Sequence, residues 1–237
     1  MKKRIIELLL CIAMLLLILG MFALSVRICA NDEAWIEKEY NKLDINDYTG
    51  MSTEDMCRAY MCMVNYMDGK IDSMELEVSV DGSRVQMFNE KEIRHMDDVR
   101  RLYKGVEVFM WCCFAATGCT IAAAGLILRK EAVASVLKGY IVGLAVIICA
   151  ALALVIWGTV DFSGFWTKFH EIFLDLEGST FDPMYSRMIR ICPEKLFSDI
   201  IVRILVVGAG LLTFTGGLLI FLRKICARSH SSKEKAV

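Results

Sequence analysis

The stretch GYIVGLAVIICAALALVIWGTV, Gly139 to Val160, is 22 residues long and carries no charged side chain. A helix rises 1.5 Å per residue, so about 20 apolar residues cross a ~30 Å hydrocarbon layer. A helix apolar on every side belongs in the core of a large protein or in a bilayer. Three more runs of this length settle the choice: Ile5 to Val26, Val106 to Leu128 and Ile200 to Leu222. Their few charges, at Glu7, Glu107 and Arg203, lie near the ends, where long side chains reach the interface. The sequence therefore predicts a mainly α, integral membrane fold with four spans. The first run also resembles a signal peptide, but its apolar part exceeds the usual 7–15 residues. It reads as an uncleaved helix.

Orientation follows from the basic residues. Lys2, Lys3 and Arg4 precede the first run, Arg129, Lys130 and Lys138 lie between the second and third, and Arg223, Lys224, Arg228, Lys233 and Lys235 follow the fourth. Basic residues stay on the cytoplasmic side. Both termini and the tail 223–237 are then cytoplasmic, and segments 27–105 and 161–199 face out. The net charge of −1 implies no polyanionic partner, and no basic groove with interleaved aromatics points to nucleic acid. The ten cysteines show no CxxC or zinc-finger spacing, so no metal framework is expected. A disulfide from Cys57 or Cys62 to Cys192 remains open on the outer side.

The outer segment 27–105 reads as a small α/β domain. Trp35, Ile36, Tyr40 and Leu43 recur at helical spacing. Ser52 with Asp55 marks the start of a helix whose apolar stripe is Met56, Tyr60, Met63, Val64 and Met67. Met74 to Val80 alternates, Asp81-Gly82 is a hairpin turn, and Arg84 to Phe88 returns. Asn89 with Glu92 starts another helix, which runs through His95 and Gly105 into the second span. Within the spans, Gly139 and Gly143 suggest a close helix crossing, as does a small-residue face at Ala115, Cys119 and Ala123.

Directly after Val160 comes an aromatic segment, with Phe162, Phe165, Trp166, Phe169 and Phe173 on one side of a helix and His170 at its border. Such a helix can lie at headgroup depth, and Trp166, Phe169 and Phe173 are the candidate lipid-binding residues. Met184 to Ile191 is expected to form a short helix ended by Pro193. The chain has three histidines. His230 lies in the tail, which reads as disordered, and is given no role. His95 and His170 each sit on an outward helix abutting a span. Glu92 and Asp98, three residues either side of His95, are placed to orient its ring. His170-Glu171 lacks the second histidine of HExxH, and no GxSxG, Walker loop or GxGxxG is present. The spans carry no charge row, which argues against a transporter or channel.

The segment Phe88-Asn-Glu-Lys-Glu-Ile-Arg-His95-Met-Asp-Asp-Val-Arg-Arg-Leu102 resembles the first signature of the bacterial lipoprotein intramolecular transacylases. Phe169-His170-Glu-Ile-Phe173, followed by Phe181-Asp182-Pro183 and Pro193-Glu-Lys-Leu-Phe197, resembles the second. The four-span layout with two outer loops matches as well. The pattern departs at Thr180 and Ser186, where the family has Trp and Asp, and at Leu174, often Phe. The resemblance implies a multi-pass enzyme of the bacterial plasma membrane. Its substrate is a diacylglyceryl-modified lipoprotein lying among membrane lipid. One acyl chain passes from the glyceryl group to the α-amino group of the N-terminal cysteine, leaving a lyso-form lipoprotein. His170 is then the base or direct nucleophile, and His95 the partner that stabilises charge or protonates the leaving oxygen. No cofactor is implied. The competing reading is a non-catalytic membrane protein that uses its acidic outer loop for assembly or signalling.

Overall fold

Helix α1 (Lys2–Ala30) carries the first apolar run. It is followed by α2 (Glu33–Leu43), α3 (Asn46–Thr49) and α4 (Thr53–Asp68), then strands β1 (Glu77–Val80) and β2 (Ser83–Gln86). Helix α5 (Glu90–Leu128) ends at a 3-10 turn (Arg129–Glu131), and α6 (Ala132–Val160), α7 (Phe162–Phe173), α8 (Arg187–Ile191) and α9 (Glu194–Glu234) complete the order. The computed structural model describes residues 2–173 and 181–234, without the side chains of Lys2, His170, Phe173 and residues 229–234. The chain divides into two compact units. One comprises Met1–Ser25, Val108–Ile156 and Ile204–Val237; the other comprises Val26–Glu107 and Trp157–Arg203.

In the first unit, α1, α5, α6 and α9 share a core of Leu10, Ala13, Met14, Ile18, Ala124, Val136, Tyr140 and Leu212. Apolar side chains also cover its exterior, including Leu8, Val108, Leu126, Ile156, Val206 and Phe214. Such a surface suits lipid rather than water. Among the described residues, three helical stretches are long and apolar enough to cross a membrane: Lys3–Ala30, Glu90–Val160 and Glu194–Arg228. The middle one contains the second and third predicted runs, interrupted at Arg129, whose φ is +47°.

Gly139 and Gly143 mark a close crossing, as expected. A Cβ on Gly139 would lie 3.1 Å from the Leu10 carbonyl oxygen, and one on Gly143 would lie 3.2 Å from the Leu15 nitrogen. The Tyr140 hydroxyl between them donates to the Leu212 carbonyl at 2.6 Å. The small-residue face expected on α5 is corrected. Ala115 and Cys119 are exposed, and the packed face is instead Met110, Cys113, Thr117 and Ala124. Thr117 decides this, because its hydroxyl donates to the Ala13 carbonyl at 2.8 Å and so anchors that face to α1. The expected disordered tail is corrected too: α9 continues past Leu222 to Glu234. Beyond Gly217 the sequence contains no glycine or proline, and Lys, Arg, Ala and Glu are good helix formers.

The second unit packs around a methionine-rich core: Met51, Met56, Met63, Met74, Met87, Met96 and Met188 join Ile36, Tyr40, Tyr60, Phe88, Ile191, Cys192 and Leu196. Ser52 caps α4 by accepting the Asp55 N–H, and Gly69 ends it at φ +71°. The antiparallel hairpin pairs Glu77 with Gln86 and Val80 with Ser83. Its turn puts Asp81 and Gly82 at φ +50° and +78°, a combination that favours this dipeptide. The regular strands are shorter than the alternation suggested, although the Met87 N–H still donates to Leu76 at 2.8 Å. Asp68 closes the far end of α4. It pairs with Lys70 at 2.8 Å and Arg27 at 3.4 Å. The short helix expected from Met184 begins only at Arg187. Asp182 holds residues 183–186 in a turn by accepting from Tyr185 and Ser186 at its carbonyl. All ten cysteines are free thiols, so the open disulfide to Cys192 does not form.

Candidate active site

The N-terminus of α5 is built by two residues that bond each other reciprocally. The Glu92 N–H donates to the Asn89 side chain at 3.0 Å, and the Asn89 N–H donates back to Glu92 Oε2 at 2.7 Å. This is the capping box the sequence suggested. It places His95 one turn further on, buried on the same helix. The His95 ring meets Phe181 edge to face, with centres 5.3 Å apart. The Lys91 ammonium lies over the same Phe181 ring at 5.1 Å. Phe181 therefore meets both side chains that α5 presents at positions 91 and 95.

Glu92 is fully buried, and its partners lie far away in sequence. Oε1 accepts the Ser186 hydroxyl at 2.5 Å and the Met188 N–H at 3.0 Å. Ser186 in turn caps α8, accepting the Ile189 N–H at 3.2 Å. One carboxylate thus fastens the segment that begins at Phe181 to the helix that carries His95. Its bonds run to Asn89, Ser186 and Met188. The carboxylate of Asp98 is engaged by Arg101.

Helix α7 starts where Asp161 accepts the Gly164 N–H at 2.8 Å. Its aromatic side forms a ladder. Phe162 stacks on Trp166 at 5.9 Å, Trp166 on Phe169 at 5.8 Å, and Trp166 meets Phe197 of α9 at 4.3 Å. One turn earlier, the Ser163 hydroxyl donates to Glu194 at 3.0 Å. Two contacts at matching spacing fix α7 along the start of α9. His170 lies on α7, but its side chain, that of Phe173, and Leu174 and Thr180 lie outside the described residues. His95 and α7 belong to the same compact unit.

The family profile described as lipoprotein intramolecular transacylase Lit matches residues 11–197, a stretch that contains both histidine helices. The chain belongs to this family. Three solved structures of the membrane-integral Lit of Bacillus cereus have the same fold. One superposes with a TM-score of 0.73 at 16% identity, covering 98% of each chain. Two others, each with one histidine replaced by arginine or by alanine, give TM-scores of 0.74 and 0.72 at 15% and 17% identity, covering 98% of this chain and 96% of theirs. No curated protein matches the chain in sequence. Membership in the Lit family makes the chain a multi-pass membrane protein and a lipoprotein intramolecular transacylase, and it removes the non-catalytic alternative.

The structure brings together His95, Glu92 and Phe181, and separately Trp166 with Phe169. Sequence reasoning did not give Lys91, Ser186, Tyr185 or Phe197 a place. Ser186 appeared only as a departure from the family pattern. In the fold it is a buried donor to Glu92, where an Asp would set a second carboxylate against the first. Among the described residues no group of three or more potential metal ligands occurs.

Proposed function

We propose that this Lit-family chain moves one acyl chain of a diacylglyceryl lipoprotein from the glyceryl oxygen to the α-amine of the N-terminal cysteine. His170 and His95 carry the protons. The free α-amine has a pKa of about 7.7–8.0 and must lose a proton to attack. His170 takes that proton, and the nitrogen adds to the ester carbonyl carbon. The nitrogen of the adduct gives up a second proton, which His95 passes to the glyceryl oxygen as the bond to that oxygen breaks, and the proton held by His170 is released to bulk. Amide replaces ester, and no water, cofactor or energy source enters the balance. Amine and ester sit on one molecule, so holding them in place supplies much of the acceleration.

The membrane arrangement that serves this reaction has four spans, near 5–26, 106–128, 139–160 and 200–222, with both termini cytoplasmic. The reacting groups then lie at the outer leaflet of the bacterial plasma membrane. The Trp166, Phe169 and Phe173 side of α7 holds acyl chains, and Asp98 adds negative charge near His95. The observation that supports the reading best is His95 itself. It is an imidazole buried against Phe181 on α5, in the same unit as the helix of His170.

The test is mass spectrometry of lipoproteins from a bacterial host lacking such activity that expresses this chain. The expected result is lyso-form lipoprotein with an N-acyl group, lost in both His95→Ala and His170→Ala. Unchanged lipoproteins in a host whose membranes hold the folded chain would refute the proposal.

A further inference from the structure

Within the first unit, helix register gathers positive charge at one end. A Cβ on Gly139 would lie 3.1 Å from the Leu10 carbonyl oxygen, and one on Gly216 would lie 3.3 Å from the Tyr140 ring. The starts of α1 and α6 are therefore level with the last part of α9. Gly208 lies against Phe22, and Leu219 packs on the core of Leu10 and Val136, so α9 runs opposite to α1. Seven residues back from Leu10 is Lys3, eight back from Tyr140 is Ala132, and eight on from Gly216 is Lys224, each step being about 10–12 Å along its helix. The Lys3 ammonium bonds the Glu131 carboxylate, as that common level requires.

This layer contains Arg4 on α1, Arg129 and Lys130 in the turn before α6, and Arg223, Lys224 and Arg228 on α9, all exposed. None of them pairs with an acid among the described residues, and the nearby Glu131 is already taken by Lys3. We propose that this end of the unit is a binding surface for anionic phospholipid, whose phosphate groups these side chains hold. The proposal goes beyond acyl transfer and leaves the histidine site untouched.

The surface offers two chemistries, and an acidic lipid answers both. Arginine forks match phosphate oxygens two at a time, and lysine adds a point charge. Just inside the charged layer, Leu8, Leu126 and Phe221 are exposed and suit acyl chains. A free phosphate would use the charges and leave this apolar collar unmet. A zwitterionic lipid would cover the collar, but its own cation would be repelled by the basic layer. Clusters of roughly four to eight Lys and Arg beside a membrane helix are a pattern that holds acidic headgroups.

The continuation of α9 past Leu222 makes the surface preformed. Lys224 and Arg228 stand four residues apart and so share one helix face. A rigid presentation lowers the ordering cost of binding.

The experiment uses the purified full chain in maltoside micelles with equal amounts of phosphatidylglycerol and phosphatidylcholine of identical acyl chains. Native mass spectrometry counts each lipid bound to the intact protein. The native chain is expected to favour phosphatidylglycerol by roughly fivefold or more, the scale of one basic side chain at an anionic surface. The triple variant Arg223→Gln, Lys224→Gln, Arg228→Gln should bring that ratio towards one. The double variant Arg4→Gln, Lys130→Gln should lower it by less. Glutamine is a good helix former, and gel filtration with thermal unfolding verifies that each variant is folded. If the triple variant does not fold, the double variant, on separate elements, carries the test. Both ends of the molecule are open in a micelle, so membrane orientation does not enter. Equal binding of the two lipids to the native chain would overturn the proposal. A preference kept by the folded variants would overturn it too. Loss of the bound phosphatidylglycerol to millimolar inorganic phosphate would mark a soluble-anion site and overturn the lipid assignment.

Discussion

Glu92 offers the sharpest test of how the site is assembled. Glu92→Gln keeps the side-chain volume but turns one oxygen into an N–H donor. In either orientation of the amide it faces donors it cannot accept: Asn89 N–H on one side, or Ser186 Oγ–H and Met188 N–H on the other. The milder orientation loses one bond to a buried carboxylate, worth ~1.5–3 kcal/mol. Glu92→Ala leaves all three donors without their acceptor. Its cost is roughly 3–6 kcal/mol, below a simple sum because the donors share one partner. A local probe stands close by. Cys192 follows α8 directly and is 6% exposed; burial first, and then the Glu92 charge, push its thiol up to about 12. At pH 8 the native protein should therefore resist a maleimide at Cys192. Glu92→Gln should speed labelling at that residue by tenfold or more, read by peptide mass spectrometry, and lower the unfolding midpoint in detergent. Ser186→Ala, which leaves the Glu92 charge in place, should shift both in the same direction by less. Native-like labelling and midpoint in Glu92→Gln would show that α8 is held by something other than this carboxylate.

Further predictions concern the two units separately. Gly143→Leu forces apolar bulk against the α1 backbone, where even a Cβ would be 3.2 Å from Leu15 N. It should cost ~1–3 kcal/mol of stability in detergent. Gly118→Ala, which meets nothing within 4 Å, should be neutral or stabilising by up to about 1 kcal/mol; equal losses in both would refute the crossing. In the other unit, desolvation raises the Asp68 carboxyl, but Lys70, Tyr103 and Arg27 outweigh it and hold it below its ordinary value. A depressed folded value means stability that is fully present above the unfolded pKa of about 3.9 and lost as pH falls through the folded one. Asp68→Asn should therefore lower the unfolding midpoint at pH 7, and the difference from the native chain should shrink below about pH 4. A difference constant from pH 7 to pH 3 would refute it.

How far the sequence reached depended on the range of the interaction. The cap at Ser52, the reciprocal bonds at Asn89 and the Asp81-Gly82 turn were legible because each is decided within a few residues of its own chain; the crossing onto α1 was legible because Gly139 and Gly143, four apart, clear one helix face. Hydropathy alone marked the apolar runs. The face of α5 was misjudged because residue size is a weak guide when one hydroxyl, Thr117, can bond a neighbouring backbone. Glu92 shows the main limit. Its position three residues before His95 suggested a role in orienting the imidazole, and gave no sign of its bonds to Ser186 and Met188, 94 and 96 residues away. No spacing rule reports such a tie. The contact of His95 with Phe181 was hidden for the same reason.

The methionine-rich core of the second unit has a consequence for how the molecule ages. Thioethers adapt to irregular gaps, and with every cysteine unpaired this unit folds without an oxidant. The same atoms are its weak point under oxidative stress. Peroxide turns a methionine into a polar, chiral sulfoxide, and seven such side chains fill the interior of this unit. A fold that needs no oxidation to form is thus one that oxidation can undo from within, and repair would fall to sulfoxide reductases rather than to disulfide exchange.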